Sequence, residues 1–205
     1  MRCAHYTPVP FSYDATRGAI TARLKAGISE ECYTNVMILY ATTHRVGDAI
    51  TTAAIIAPEH QADADPAWLA AHCLAGIDPA IAELTREGDM LLAGANFGVG
   101  PDAEIAVLAL QAVGFAAIIC ASSDTGFVAA AEAYGLPVLI CQAAVAAITP
   151  GGVLRLDLAG GRITDRTTGA VYSVPPIAPA LVDMVRRAQL LTRMRRVVEE
   201  EGFDG

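Results

Sequence analysis

The seven residues Gly94-Ala95-Asn96-Phe97-Gly98-Val99-Gly100 carry the clearest chemical signal in the chain. They follow the apolar run Met90-Leu91-Leu92-Ala93 and precede a helix-like stretch from Glu104 to Val113. A strand, a glycine-rich turn and a helix together offer backbone N–H groups and a helix dipole to an anion. The same pattern also describes a tight strand-to-helix connection that needs small residues. Asp102 and Glu104 fall in the first helical turn, where capping and dipole compensation explain them without any catalytic role. A role for either as an acid at a pocket's edge stands beside that reading.

Three better-known motifs are absent. G-x-G-x-x-G does not occur at 94–100, no lysine follows Gly98-Val99-Gly100 as a phosphate loop requires, and there is no G-x-S-x-G. His5, His44, His60 and His72 lie too far apart for a local metal motif and read as ordinary surface or half-buried histidines. The five cysteines form no C-x-x-C pair. Neither a disulfide framework nor a cysteine-ligated metal in this chain is expected, and a reducing cytoplasm fits best. Cys120 and Cys141 sit in apolar runs and are expected to be buried and inert.

Composition bounds the rest. The chain has 205 residues, 54% of them hydrophobic and 18% charged, enough for one compact domain with a substantial core. A net charge of −8 argues against nucleic acid as a partner, since a phosphate backbone calls for a basic surface. No uninterrupted apolar run reaches the length of a membrane span, and the first residues lack the apolar centre of a signal peptide.

The elements that must position the glycine turn follow from punctuation and periodicity. Residues 19–24 alternate as a half-exposed strand would, 34–41 read as a buried strand, and 47–58 as a turn followed by a β-prone run stopped at Pro58. Asp65 and Pro66 start a short helix with Trp68, Leu69 and Cys73 on its apolar face, and a second short helix covers 79–86. From Met90 the pattern is strand 90–95, helix 102–113, strand 116–121, helix 124–134 and strand 136–141, with Gly114 and Gly135 at helix C-termini. This βαβαβ order predicts parallel strands. Residues 153–158, 162–165 and 170–174 form an antiparallel unit expected to be distinct from that core, with Gly160-Gly161 at its hairpin. A last helix places Leu181, Met184, Val185, Ala188, Leu191, Met194 and Val198 on one face and Arg186, Arg187, Arg193, Arg195 and Arg196 elsewhere. Those arginines read as a solvated face, or as a docking surface for an acidic partner or a second copy.

The glycine turn resembles the G-x-N-F-G-x-G segment of isopropylmalate dehydratase small subunits, the swivel-domain relatives of aconitase. Gly47-Asp48-Ala49-Ile50 through Ile55-Ile56 is similar to that family's G-D-N-I-D-T-D-x-I-I-P. Asp65-Pro66, His72-Cys73, Asp78-Pro79, Gly135-Leu136-Pro137-Val138 and Thr167-Thr168-Gly169 continue the likeness. It covers about 44–192, leaving 1–43 as an N-terminal extension that can still belong to the same domain, and 193–205 as the end of the last helix and a tail. The resemblance implies an α/β swivelling domain of β/β/α type, with a parallel βαβαβ core and an antiparallel β extension. It also implies a hydro-lyase acting on a hydroxy acid, with a 4Fe–4S cluster in a separate large subunit.

Where the family continues with S-S-R-E-H-A, this chain has Pro101-Asp102-Ala103-Glu104-Ile105-Ala106. The family's S-F-A-R falls at Ser122-Ser123-Asp124-Thr125, so its arginine is missing too. The residues that the resemblance places at the substrate are therefore Asn96, Phe97, Gly98, Gly100, Asp102, Glu104 and Thr125. A dicarboxylate in a dry cleft needs paired cations. It would be repelled here unless a partner chain supplied them. The alternative is a stand-alone divergent swivel-domain protein, without dehydratase activity, that binds or converts another small molecule through the backbone donors of 98–102. A regulatory dimer joined through the C-terminal helix is the remaining reading.

Overall fold

The computed structural model describes residues 37–62 and 65–187. Its strands are β1 (Ile38–Arg45), β2 (Met90–Ala93), β3 (Ala117–Cys120), β4 (Val138–Ile140), β5 (Val153–Asp157), β6 (Arg162–Asp165) and β7 (Val171–Ser173). The helices are α1 (Thr52–Ile55), α2 (Pro66–His72), α3 (Ala80–Leu84), α4 (Ala103–Val113), α5 (Thr125–Ala133) and α6 (Gln142–Ala147). Residues 179–187 are also helical and are labelled α7. No helix among the described residues is long and apolar enough to cross a membrane.

The strands form one mixed sheet in the order β4-β3-β2-β1-β5-β6-β7. β1 is the seam. It pairs parallel with β2, Thr43 opposite Met90, and antiparallel with β5, Leu39 opposite Leu156. Every residue of β2 (Met-Leu-Leu-Ala) and of β3 (Ala-Ile-Ile-Cys) is buried, as expected of parallel strands covered on both faces. One face, through Leu91 and Ile118, packs with Ile55, Leu69, Val107, Leu110, Phe97 and Phe127. The other, through Leu92 and Ile119, packs with Leu154, Leu156, Ile163, Leu181 and Val185.

Local chemistry explains the helices that flank the site. In α4 the alanine-rich run 103–113 ends at Gly114, whose φ of 115° places it where a Cβ would be strained. Asp124 caps α5, its Oδ1 accepting from the N–H of Gly126 at 2.9 Å and of Phe127 at 3.2 Å. Asp65 caps α2 through the Trp68 N–H, with Pro66 in the first turn.

Several expectations are corrected. The β-prone run after Gly47 is helical over Thr52–Ile55, because Thr51 accepts the Ala54 N–H and a single turn buries Ile55 and Ile56 in succession. The first buried strand is Ile38–Arg45 rather than 34–41, in register with β2 and β5 at once. The antiparallel strands are not a distinct unit, since β5 joins the parallel strands directly through β1. Helix α6 stands where no helix was expected, because Gln142 starts it only one residue after β4, with no glycine or proline between them to mark a new element. Cys141 is only half-buried, because it is the residue from which α6 departs. Trp68 is 41% exposed and lies against His72 rather than in the core, leaving Leu69 as the buried residue of α2. On α7 Met184 is 40% exposed while Val182 takes a core position. The strand expected at 19–24, and Arg193, Arg195 and Arg196, lie outside the described residues.

Candidate functional site

Strands β1, β2 and β3 run parallel, so the loops that leave them emerge at the same edge of the sheet. Carboxyl ends of parallel strands are where α/β proteins commonly bind ligands. The three loops, 46–51, 94–102 and 121–124, are laced together by their backbones. Gly94 N–H donates to Gly47 O at 3.0 Å, Ala49 N–H to Ala95 O at 2.7 Å, and Gly98 N–H to Ile50 O at 2.7 Å. On the other side Phe97 N–H donates to Ser122 O at 3.0 Å and Asp124 N–H to Phe97 O at 3.0 Å. Side chains complete the lattice: Asp48 Oδ1 accepts from Ala95 N–H at 2.7 Å, and Ser122 Oγ from Asn96 N–H at 2.8 Å.

The turn's backbone matches its residue types. Gly98 has φ 77° and Gly100 φ 147°, while Asn96 sits at φ 56°, the left-handed region that asparagine tolerates best after glycine. A Cβ on Gly98 would fall inside the ring of Phe127, and one on Gly94 would strike the Asp48 carboxylate. Tight approach of the loops is therefore a steric requirement. The Gly98 N–H, expected to serve a ligand, is spent on Ile50 O.

The fold places the sequence candidates as follows. Asn96, Gly100, Glu104 and Thr125 are exposed, Asp102 is half-buried and Gly98 is buried. Phe97 is fully buried, its ring edge-on to Phe127 with centroids 5.2 Å apart, so only its backbone belongs to the lattice. Asp102 occupies the N-cap of α4 but makes no side-chain capping bond, contrary to the expected cap, because its φ of −99° and ψ of 49° turn the residue away from cap geometry. Glu104 accepts from the Tyr134 hydroxyl at 3.3 Å. The bond between Asp124 N–H and Phe97 O brings the start of α5, with Thr125, beside the glycine turn.

Beside this lattice lies an open cleft of about 510 Å³, lined by Arg45, Gly47, Asp48, Gly94 and Gln142 among others. Arg45 is the last residue of β1 and, among the described residues, the only basic side chain lining that cleft. Its Nη2 donates to Val145 O at 2.7 Å and Ile148 O at 2.6 Å, two carbonyls at the C-terminal end of α6. Sequence reasoning missed Arg45; a lone cation just before Gly47-Asp48 was the available signal. Metal chemistry finds no purchase among the described residues, where no three His, Cys, Asp or Glu side chains converge. Burial pushes the thiols of Cys73 and Cys120 up to about 12.

No family model matches the chain. It is 34% identical over 163 residues to the 3-isopropylmalate dehydratase small subunit of Moorella thermoacetica, spanning 80% of this chain and 98% of that one. It is 30% identical over 168 residues to the small subunit of the same name from Caldicellulosiruptor saccharolyticus, spanning 82% and 97%. Among solved structures, the 3-isopropylmalate dehydratase LeuD of Methanocaldococcus jannaschii superposes with a TM-score of 0.66 at 30% identity, over 78% of this chain and 99% of that one. A glycine lattice at the carboxyl edge of a mixed seven-stranded sheet thus comes with relatives matched over nearly their whole length, and the chain belongs to the 3-isopropylmalate dehydratase small-subunit family.

Proposed function

We propose that this chain is the small subunit of a hydro-lyase that removes water from, and adds it back to, a malate-like hydroxy acid. Its relatives are named small subunits of 3-isopropylmalate dehydratase, and the observation that carries the reading is the 98% coverage of such a subunit. In this reading the chain works in the cytoplasm with a separate large subunit that holds the iron–sulfur cluster. That group supplies the Lewis acidity for the departing hydroxyl. The described part of this chain brings no ligand set together for it, so the cluster would belong to the partner.

The role left to this chain is to bind, orient and exclude water. The exposed carboxyl edge of β1–β3 would face the partner, with Asn96, Gly100, Asp102, Glu104 and Thr125 at the substrate and buried Gly98 and Phe97 holding the loop from beneath. A second reading takes its support from Asp102, a carboxylate at the start of α4 with no capping bond. There the chain acts alone on a neutral or cationic small molecule.

Anaerobic co-expression with an iron–sulfur large subunit of a 3-isopropylmalate dehydratase, followed by affinity purification and assay of 3-isopropylmalate dehydration, separates the two. The small-subunit reading expects a stable complex, activity that requires both chains, and none from either alone. Failure to form a complex, together with stabilisation of the isolated chain only by neutral or cationic compounds, would establish the second reading instead.

A further inference from the structure

We propose that Arg45 is the cation with which this chain holds a carboxylate of its ligand, in the cleft between the end of β1 and α6. The ligand class is a small hydroxy acid, whose hydroxyl is taken by Asp48 and Gln142. The hydroxy-acid chemistry rests on the small-subunit reading; the position of the cation does not.

Strand alternation explains why Arg45 reaches this cleft. Ala41 and Thr43 share its face of β1 and are buried on the side where α6 packs. Arg45 is the next residue on that face and emerges where the core ends. Both of its hydrogen bonds use Nη2 and both go to neutral carbonyls, at 2.7 and 2.6 Å. They fix the plane of the guanidinium without neutralising it. Both bonds come from Nη2, which leaves the Nε proton and the two Nη1 protons outside them, each able to donate a single charge-assisted hydrogen bond to a carboxylate oxygen.

The remaining cleft chemistry suits one class of ligand. Asp48 lines the same cleft, yet no ion pair joins it to Arg45. Asp48 Oδ1 is held by the Ala95 N–H, which aims the carboxylate and leaves Oδ2 outside that bond. An acceptor carboxylate beside a carboxylate-binding arginine favours a ligand that carries both an anion and a hydroxyl donor, and repels one with a second anion at that point. Gln142, exposed at the first turn of α6, adds an amide that can donate or accept. A cleft of about 510 Å³ accommodates a molecule of a few carbons. Thus the cation absent from 101–104 is supplied from another strand of the same sheet edge.

The test is an NMR titration of the isotope-labelled full chain with L-malate, with succinate, which lacks the hydroxyl, as comparator. Malate should shift the amides of Asp48, Gly94 and Ala121, and succinate should bind several-fold more weakly. Arg45→Gln should raise the malate Kd about tenfold or more. Because that variant also loses the α6 contacts, Gln142→Glu serves as an independent probe: it should weaken malate binding with the melting temperature unchanged. Shifts confined to 98–104, no shift at all, or titrations unchanged in Gln142→Glu would overturn the proposal. In the assembled enzyme, an unchanged KM for 3-isopropylmalate in Gln142→Glu would also overturn it. A complex without dehydratase activity, whose small chain still binds malate through Arg45, would remove the small-subunit reading and leave this site standing.

Discussion

At Gly98 two demands coincide, a left-handed backbone and an absent side chain. Its φ is 77°, and a Cβ would enter the Phe127 ring, itself fully buried. Gly98→Ala is expected to destabilise the protein by about 2–4 kcal/mol, combining backbone strain with overpacking. Urea denaturation reads this directly, and a loss below about 0.5 kcal/mol would mean that the loop relaxes freely. The cysteines offer a second check at this scale. With their thiols raised to about 12 by burial, Cys73 and Cys120 carry almost no thiolate at neutral pH. Alkylation followed by peptide mapping should modify half-buried Cys141 well before either of them. Equal rates at the three would show that the core opens faster than the reagent reacts.

Among the elements, the β6–β7 connection shows how a buried charge can hold a turn. Asp165 is 3% exposed. Burial acts to raise its carboxyl, but the N–H of Thr167 and the hydroxyl and N–H of Thr168 hold it below its ordinary value. A carboxyl lowered on folding stabilises the protein above its unfolded pKa, near 3.8, and that contribution is lost as pH falls through the lower folded value. Stability should therefore decline on acidification below about pH 4, and Asp165→Asn should flatten part of that decline. The measurement is the urea midpoint of both proteins across the acid range. Parallel curves would remove Asp165 from the acid response.

For the whole molecule, the sheet order sets where stability concentrates. β2 and β3 lie inside the sheet with both faces covered, whereas β7 ends the sheet among the described residues, with Val171 54% exposed. Native-state hydrogen exchange should leave the amides of Leu91, Leu92, Ile118 and Ile119 protected longest, with β7 exchanging first. Equal protection across the sheet would indicate one cooperative opening. The seam at β1 matters for function as well. It ties the antiparallel hairpins to the parallel strands and carries Arg45 to the same edge as the glycine lattice.

The sequence by itself determined the parts whose evidence is local. Gly114 and Gly135 marked helix ends, Asp65-Pro66 marked a helix start, and the fully apolar runs at 90–93 and 117–120 marked buried parallel strands. The glycine turn was legible too, because positive φ and close loop contact leave few residue types acceptable. Tertiary structure decided what depends on partners distant in sequence. Thr51 to Ile56 has β-forming composition, yet burial of two adjacent isoleucines under α4 turns it into a helical turn. β1 shows no sign in its own residues that it will pair with both β2 and β5. Nor does Arg45, whose neighbours Asp48, Gly94 and Gln142 come from three separate segments that meet only when the strands are in register.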